Sequence, residues 1–333
     1  MNQFKKLIDS ILPAVTLMLI APLLAEVLPG ATRFSSLFVF PIEVCVWGGG
    51  ALLIRYAVRR RQLGWINMLF LALTLALAEE CLIQQSSLAP LVIKLKGVEY
   101  ARALGVNYVY LLWALAYETI FVVFMPVYLV ELIFPEKRNG LWINKGGLIA
   151  VIIFFIIGSG LAWFTWTQIA RVKVFHVAAY NPPILTVLIA IIVIGALIYS
   201  ALGKYKYMLL LKSSALIPPG KWIIGLAGAL WAVLWYGLVV LAFGIAPLFP
   251  PAIAVSAGIL LILGILLLLP RLASNSAWNS NCQYALIFGT MVGSMLIGFI
   301  GFWGTMNMDL YFKIFINIVA AILMIILGFK ISK

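Results

Sequence analysis

Apolar residues run along this chain in ten long, continuous blocks, separated by short stretches where charges, Pro, Gly and Asn collect. The blocks lie at approximately 10–28, 38–58, 65–84, 104–134, 147–168, 183–203, 221–246, 251–270, 282–303 and 309–329. A helix needs about 20 residues to cross roughly 30 Å of hydrocarbon at 1.5 Å per residue, so each block predicts a transmembrane helix. The apolar runs are unbroken rather than alternating, which excludes a membrane β-barrel. Pro29-Gly30, Pro135, Asn181-Pro182-Pro183, Pro218-Pro219-Gly220, Pro250-Pro251 and Pro270 fall in or beside the connections, where helix breakers cost least. The expected fold is therefore an all-α, polytopic bundle of about ten transmembrane helices.

Composition agrees with the pattern. Of 333 residues, 65% are hydrophobic and only 10% charged, with a mean hydropathy of +1.14, far from the quarter-charged make-up of soluble domains. The net charge of +13 would suggest nucleic acid in a soluble chain, but here the bases sit between apolar blocks and report topology. With the N-terminus inside, 16 of the 23 Lys and Arg fall on the cytoplasmic side, with Arg59-Arg60-Arg61 as the strongest anchor. Both termini are then cytoplasmic, and Arg55 is expected to snorkel to the inner interface. The first residues resemble a signal-peptide n-region without a cleavage site, so the segment is expected to be a retained helix. Cys45, Cys81 and Cys282 have no CxxC spacing, and His176 is the sole histidine; neither a disulfide framework nor a metal site follows, and no cofactor is expected. Gly289 and Gly293 form a GxxxG pair that marks a close helix contact.

The ten carboxylates carry more information. Nine lie in residues 1–136, and none occurs between Glu136 and Asp309. This predicts a polar-site half, 1–140, of four helices, and a six-helix apolar scaffold, 141–333. Glu26, Glu43, Glu79, Glu80 and Glu118 lie within or at the ends of apolar helices, where a carboxylate costs roughly 2.5–3.5 kcal/mol on insertion scales unless protein or water surrounds it. Glu26 sits near the outer end of the first helix and Glu43 near the outer start of the second. Glu79 and Glu80 come about 21 Å along the third, and Glu118 about 16 Å beyond Asn107 on the fourth. Four helices thus bring five acids to one outer layer. Asn107 and Glu118 fall on one helical stripe, as do Glu80, Gln84 and Ser87, with Glu79 about 100° away and expected to serve a neighbouring helix. Like charges in a low dielectric call for protonation of some of the acids unless a cation or Arg compensates, which predicts a proton or cation site reached from outside; the alternative is a set of helix-to-helix hydrogen bonds with Asn107, Gln84 and tyrosines. Glu131 and Glu136, beside Lys137 and Arg138, read as interfacial charges. The outer connection 85–103, with Lys94, Lys96, Glu99 and Arg102, reads as a lid lying on the membrane surface over the acids.

Two runs carry a resemblance. Gly50-Ala-Leu-Leu-Ile-Arg55 with Arg59-Arg-Arg and Gly64-Trp65, then Glu79-Glu80-Cys-Leu-Ile-Gln84-Gln-Ser86, resemble an uncharacterised family of bacterial polytopic membrane proteins. Gly105-Val-Asn107-Tyr and Pro126 through Arg138 continue the likeness, which covers about residues 22–148. Tyr56 stands where that family has Glu, Cys81 where it has Gly, and Glu118 about where it has His. A looser similarity runs to glutamate-type intramembrane proteases of the CAAX-processing group: Glu79-Glu80 matches the first two positions of their motif, Gln84 replaces its Arg, and no membrane histidine follows. The resemblance implies a bacterial inner-membrane location and a shared polar site.

Three functions fit the residues. The first is a binding or transport protein for a cationic or polar small solute, or one coupling protons, using Glu26, Glu43, Glu79, Glu80, Gln84, Asn107 and Glu118. The second is an intramembrane enzyme with Glu79, Glu80 and Glu118 as acid or base groups, acting as a protease-like hydrolase or on a lipid or isoprenoid. The third is a non-catalytic subunit of a membrane assembly. The expected partners are the lipid bilayer, a small cationic or lipidic ligand and other membrane proteins, with no nucleic acid.

Overall fold

A computed structural model describes residues 3–92, 100–203, 214–245, 249–304 and 306–332. Among these residues nine helices are long and apolar enough to cross a membrane: α2 (Phe34–Arg60), α3 (Trp65–Ile83), α4 (Tyr108–Ile133), α5 (Lys145–Val174), α6 (Ile184–Leu202), α7 (Lys221–Ala242), α8 (Pro251–Ala273), α9 (Ser280–Phe302) and α10 (Met308–Ser332). Before them runs α1, helical over Gln3–Pro22 and continued by Leu23–Val27, whose apolar part, Ile11–Val27, extends about 25 Å at 1.5 Å per residue. The ten expected helices are present, and the fold is an all-α, multi-pass bundle. The apolar part of the first is shorter than that of the other nine.

Local chemistry explains the boundaries. Pro251 opens α8 at a position where its missing N–H costs nothing. Asn144 and Asn279 cap α5 and α9, their side-chain oxygens accepting from Gly147 N and from Asn281 N and Cys282 N. Before α4 lies a small hairpin of β1 (Arg102–Ala103) and β2 (Val106–Asn107), paired Arg102 to Asn107. Its two-residue turn places Leu104 at φ 51° and Gly105 at φ 77°, the left-handed pair that a tight hairpin requires.

Contacts at the two ends of the bundle fix the alternation of the helices. At one end Arg55 on α2 meets Glu131 on α4, Asn67 on α3 donates to Ala201 O on α6 (2.8 Å), and Ser332 on α10 meets Asn281 on α9. At the other end Arg33 donates to Gly301 O in the last turn of α9 (3.2 Å), Ser35 N donates to Asp309 on α10 (2.9 Å), and Arg171 on α5 donates to Pro90 O (3.0 Å). Each helix therefore starts at the end where its predecessor stops. The end with Arg59–Arg61 is called the basic end below.

α7 and α9 pack through backbone. A side chain at Gly289 would collide with Gly225, and one at Gly293 with Ala229 and Ala232, so the GxxxG pair marks a real crossing. Burial is uneven: 72% of the apolar window of α4 and 61% of that of α3 lie inside, against 11% for α6, α8 and α10. α3 and α4 form the centre, α2 and α9 are half inside, and α5 to α8 and α10 present broad apolar faces that suit a lipid bilayer.

Candidate functional site

Two charged clusters lie within the bundle, one near each end. At the basic end, the Glu131 carboxylate is 2% exposed and gathers three arginines. Arg55 Nε reaches Oε1 at 3.1 Å, Arg59 Nη2 reaches both oxygens at 2.7 and 2.8 Å, and Arg138 Nε stands 3.6 Å from Oε2. Arg55 does not snorkel to the interface. It is 1% exposed because its remaining donors find Gly140 O (3.1 Å) and Arg138 O (2.7 Å), and its guanidinium lies 3.2 Å over the Trp142 ring. Glu131 is likewise a buried hub rather than an interfacial charge. A basic residue and an acid at equal depth on α2 and α4 were the available sequence signal for this pair.

The second cluster holds the five acids, and four helices bring them together as expected. Glu26 lies within electrostatic reach of Glu43, Glu79 and Glu80; Glu79 of Glu43 and Glu80; and Glu118 of Glu80, Glu79 and Glu26. Glu43, Glu79, Glu80 and Glu118 are all buried, whereas Glu26 is half-buried. Among the described residues no Lys, Arg or His pairs with any of the five.

The backbone repeats one device at this layer. Glu26 lies in a π-helical stretch, Leu23–Val27, and Glu43 immediately precedes another, Val44–Gly48. Glu79 and Glu80 open a third, Glu79–Ile83, and Glu118 opens a fourth, Glu118–Phe124. Wider turns of this kind are rare and concentrate at functional sites. They also change the expected stripes, because a 3.6-residue period does not carry through them. Both Glu79 and Glu80 lie within electrostatic reach of the other acids.

The partners of the acids differ. Glu80 Oε2 accepts from Ser87 Oγ at 2.5 Å, although Ser87 lies beyond the helix and reaches Glu80 because the chain turns back. Glu43 Oε1 accepts from the Thr32 hydroxyl, and its Oε2 is left without a hydrogen bond. Glu118 Oε2 is also unpartnered. Glu79 is 2% exposed and neither of its oxygens accepts a hydrogen bond; Gln84 approaches it outside hydrogen-bond geometry. Tyr110, Tyr117 and Tyr236 line the same region, each within electrostatic reach of Glu26, and the rings of Tyr117 and Tyr236 meet edge to face at 5.5 Å. Tyr117 donates its hydroxyl to Ala25 O, one residue before Glu26. Sequence reasoning did not single out these tyrosines, and Tyr236 comes from the half expected to be scaffold.

Asn107 holds a different place from the one its spacing suggests. It lies in β2, before the first turn of α4, and shares no helical stripe with Glu118. Its amide donates to Ser86 O (3.0 Å) and Ala89 O (2.6 Å) and accepts from Arg102 (2.9 Å), while its backbone N–H donates to Ser87 O (2.8 Å). Asn107 thus moors the loop that delivers Ser87 to Glu80. The expected lid, 85–103, is described on both flanks, but residues 93–99, with Lys94, Lys96 and Glu99, lie outside the described residues.

Just past Glu26 the chain meets α10. Lys313, 1% exposed, donates to Leu28 O (2.8 Å) and Pro29 O (3.1 Å) and lies 4.5 Å from the centre of the Phe299 ring. Asn317, one turn on, donates to Leu28 O (3.1 Å) in the amide orientation that satisfies both of its polar atoms. These side chains fill the carbonyl positions left open where α1 ends.

The acids form a layer rather than a chelating cage. Among the described residues no three His, Cys, Asp or Glu side chains converge closely enough to hold a metal ion. What the layer offers is distributed negative charge, three carboxylates with open acceptor positions, and aromatic walls. No protein-family model, no curated protein and no solved structure matches the chain.

Proposed function

We propose that this protein is a membrane carrier or binding protein that takes up a small organic cation, or moves protons, through the acidic layer of α1 to α4. The observation that carries the reading is Glu79, a buried carboxylate with two unpartnered oxygens among four other acids. Burying an unsatisfied polar group costs on the order of 1–3 kcal/mol, and like charges add to that cost, so such a group persists where a bound cation or proton completes it. The spread of the acids and the adjoining Tyr110, Tyr117 and Tyr236 suit an ammonium or amidinium group held by charge and ring faces better than a compact divalent ion. Glu26, Glu43, Glu80 and Glu118 share the charge, Gln84 borders Glu79, and Asn107 positions the Ser87 loop.

In this reading residues 1–140 form the working half and 141–333 the scaffold, to which Tyr236 and Lys313 are exceptions. The charge bias supports a cytoplasmic basic end with the acids opening outward, and the family resemblance supports a bacterial inner membrane. The test is flux in proteoliposomes. With a pH dye inside, an imposed gradient of guanidinium, tetramethylammonium, sodium or potassium should drive a protein-dependent internal pH change that Glu79→Gln abolishes. Identical traces with and without protein for every cation and for a proton gradient alone would remove the proposal.

A further inference from the structure

The basic end carries a site that the acidic layer does not explain. Three guanidinium groups surround a single carboxylate, which leaves two positive charges uncompensated inside the Arg55, Arg59, Arg138 and Glu131 cluster. Glu131 is already saturated, since Oε1 accepts from Arg55 and Arg59 and Oε2 accepts from Arg59. Each of the three Arg55 nitrogens also has a partner, with Glu131, Gly140 O and Arg138 O on its edges and Trp142 on its face. Arg59 and Arg138 are not so fully engaged. The hydrogen bonds of Arg59 run through Nε and Nη2 to Glu131, leaving Nη1 unused, and Arg138 makes only the long 3.6 Å contact through Nε.

Arg59 borders a cavity, and Arg138 adds its charge from the far side of Glu131. A space of about 40 Å³, bordered by Arg55, Arg59, Gly64, Trp65 and Tyr128, opens at the foot of α2 and α3. Arg59 is 25% and Arg138 39% exposed, so ligand access needs no unfolding. The cavity lies beside the first residue of α3, the level at which a spanning helix meets lipid headgroups, and Trp65 and Tyr128 are amphipathic residues suited to that level. A guanidinium fork with spare N–H groups, an excess of positive charge and a small polar-rimmed space match the oxygens of a phosphate.

We propose that the cavity bordered by Arg55 and Arg59, beside the excess charge that Arg138 adds to the cluster, binds a phosphate group, presented either by an anionic phospholipid headgroup or by a free phosphate ester. A phosphate with one or two negative charges would offset the excess of the cluster. A basic pocket between helices at the cytoplasmic leaflet would face the negatively charged lipids concentrated there.

The test uses the full chain purified in detergent and stripped of lipid. Lipid retention is measured by native mass spectrometry and thermal unfolding by fluorescence, with phosphatidylglycerol, phosphatidylcholine or inorganic phosphate added. Phosphatidylglycerol should be retained at least about tenfold better than phosphatidylcholine if the lipid is the source, a difference of about 1.4 kcal/mol. Stabilisation by millimolar inorganic phosphate, with no preference between the lipids, would support the site and assign it to a free ester. Arg59→Gln should lose either response and Arg59→Lys should keep part of it. Arg138→Gln, which breaks only the longest contact to Glu131, supplies a folded variant that should weaken binding if Arg59→Gln fails to fold. Equal retention of both lipids with no response to phosphate, or a phosphate response unchanged in Arg138→Gln and Arg59→Gln, would overturn the proposal.

Discussion

Ser87 holds Glu80 by a 2.5 Å hydrogen bond, while Glu79, the next residue along the chain, receives none. The two acids share a helix turn and burial, and both lie within reach of Glu26 and Glu118, yet one is provided for by the protein and the other is open. The loop that brings Ser87 back is itself held by Asn107, so the asymmetry is built from the chain connection as well as from the helix.

Ser87→Ala should therefore destabilise the protein by about 1–3 kcal/mol, because it strips a buried acceptor of its donor. Thermal unfolding in detergent measures this loss, and Ser87→Ala combined with Glu80→Leu should recover part of it.

Glu79→Gln should behave in the opposite way. With no hydrogen bond to lose, the change removes charge from a crowded layer, so thermal stability should stay within about 0.5 kcal/mol or rise, while cation-driven flux is lost. A loss of stability as large as that of Ser87→Ala would show that Glu79 is a structural group.

Glu131→Gln should cost about 3–5 kcal/mol, since it leaves buried Arg55 facing Arg59 and Arg138 without their shared counter-ion. Arg138→Gln, at the exposed edge of the cluster, should cost less than about 1 kcal/mol. Parallel unfolding curves for the two variants measure the contrast.

Lys313→Met should loosen α10 from the connection after α1. It leaves the carbonyls of Leu28 and Pro29 without their ammonium donor, at about 1–3 kcal/mol. Hydrogen exchange should rise first in residues 28–36, where the Asn317 bond to Leu28 O and the Ser35 bonds to Asp309 still link the two elements.

Much of the architecture was legible because lipid imposes length and continuity on a helix. Ten apolar blocks predicted ten helices, and Glu26, Glu43, Glu79, Glu80 and Glu118 were readable as one layer from depth alone. What failed was detail that depends on backbone geometry. Asn107 was placed on the stripe of Glu118, but it precedes α4 and the π-turn at Glu118 interrupts the period. Arg55 was expected in the headgroup region, but its neighbours Gly140, Arg138 and Trp142 come from a connection whose path the apolar pattern does not encode. Tyr236 and Lys313 reach the acid-bearing helices from distant segments that looked like scaffold, and periodicity within one helix carries no signal for such packing.

The most direct measurement is proton release on cation binding. Purified protein in weakly buffered detergent is titrated with an organic cation or a metal cation at constant starting pH, and the protons liberated are counted. A cation entering the open carboxylate layer should displace on the order of one proton per chain, and Glu79→Gln should suppress the release. Absence of release for all cations across the neutral range, or release unchanged in Glu79→Gln, would contradict the assignment of Glu79 and its neighbours as the working site.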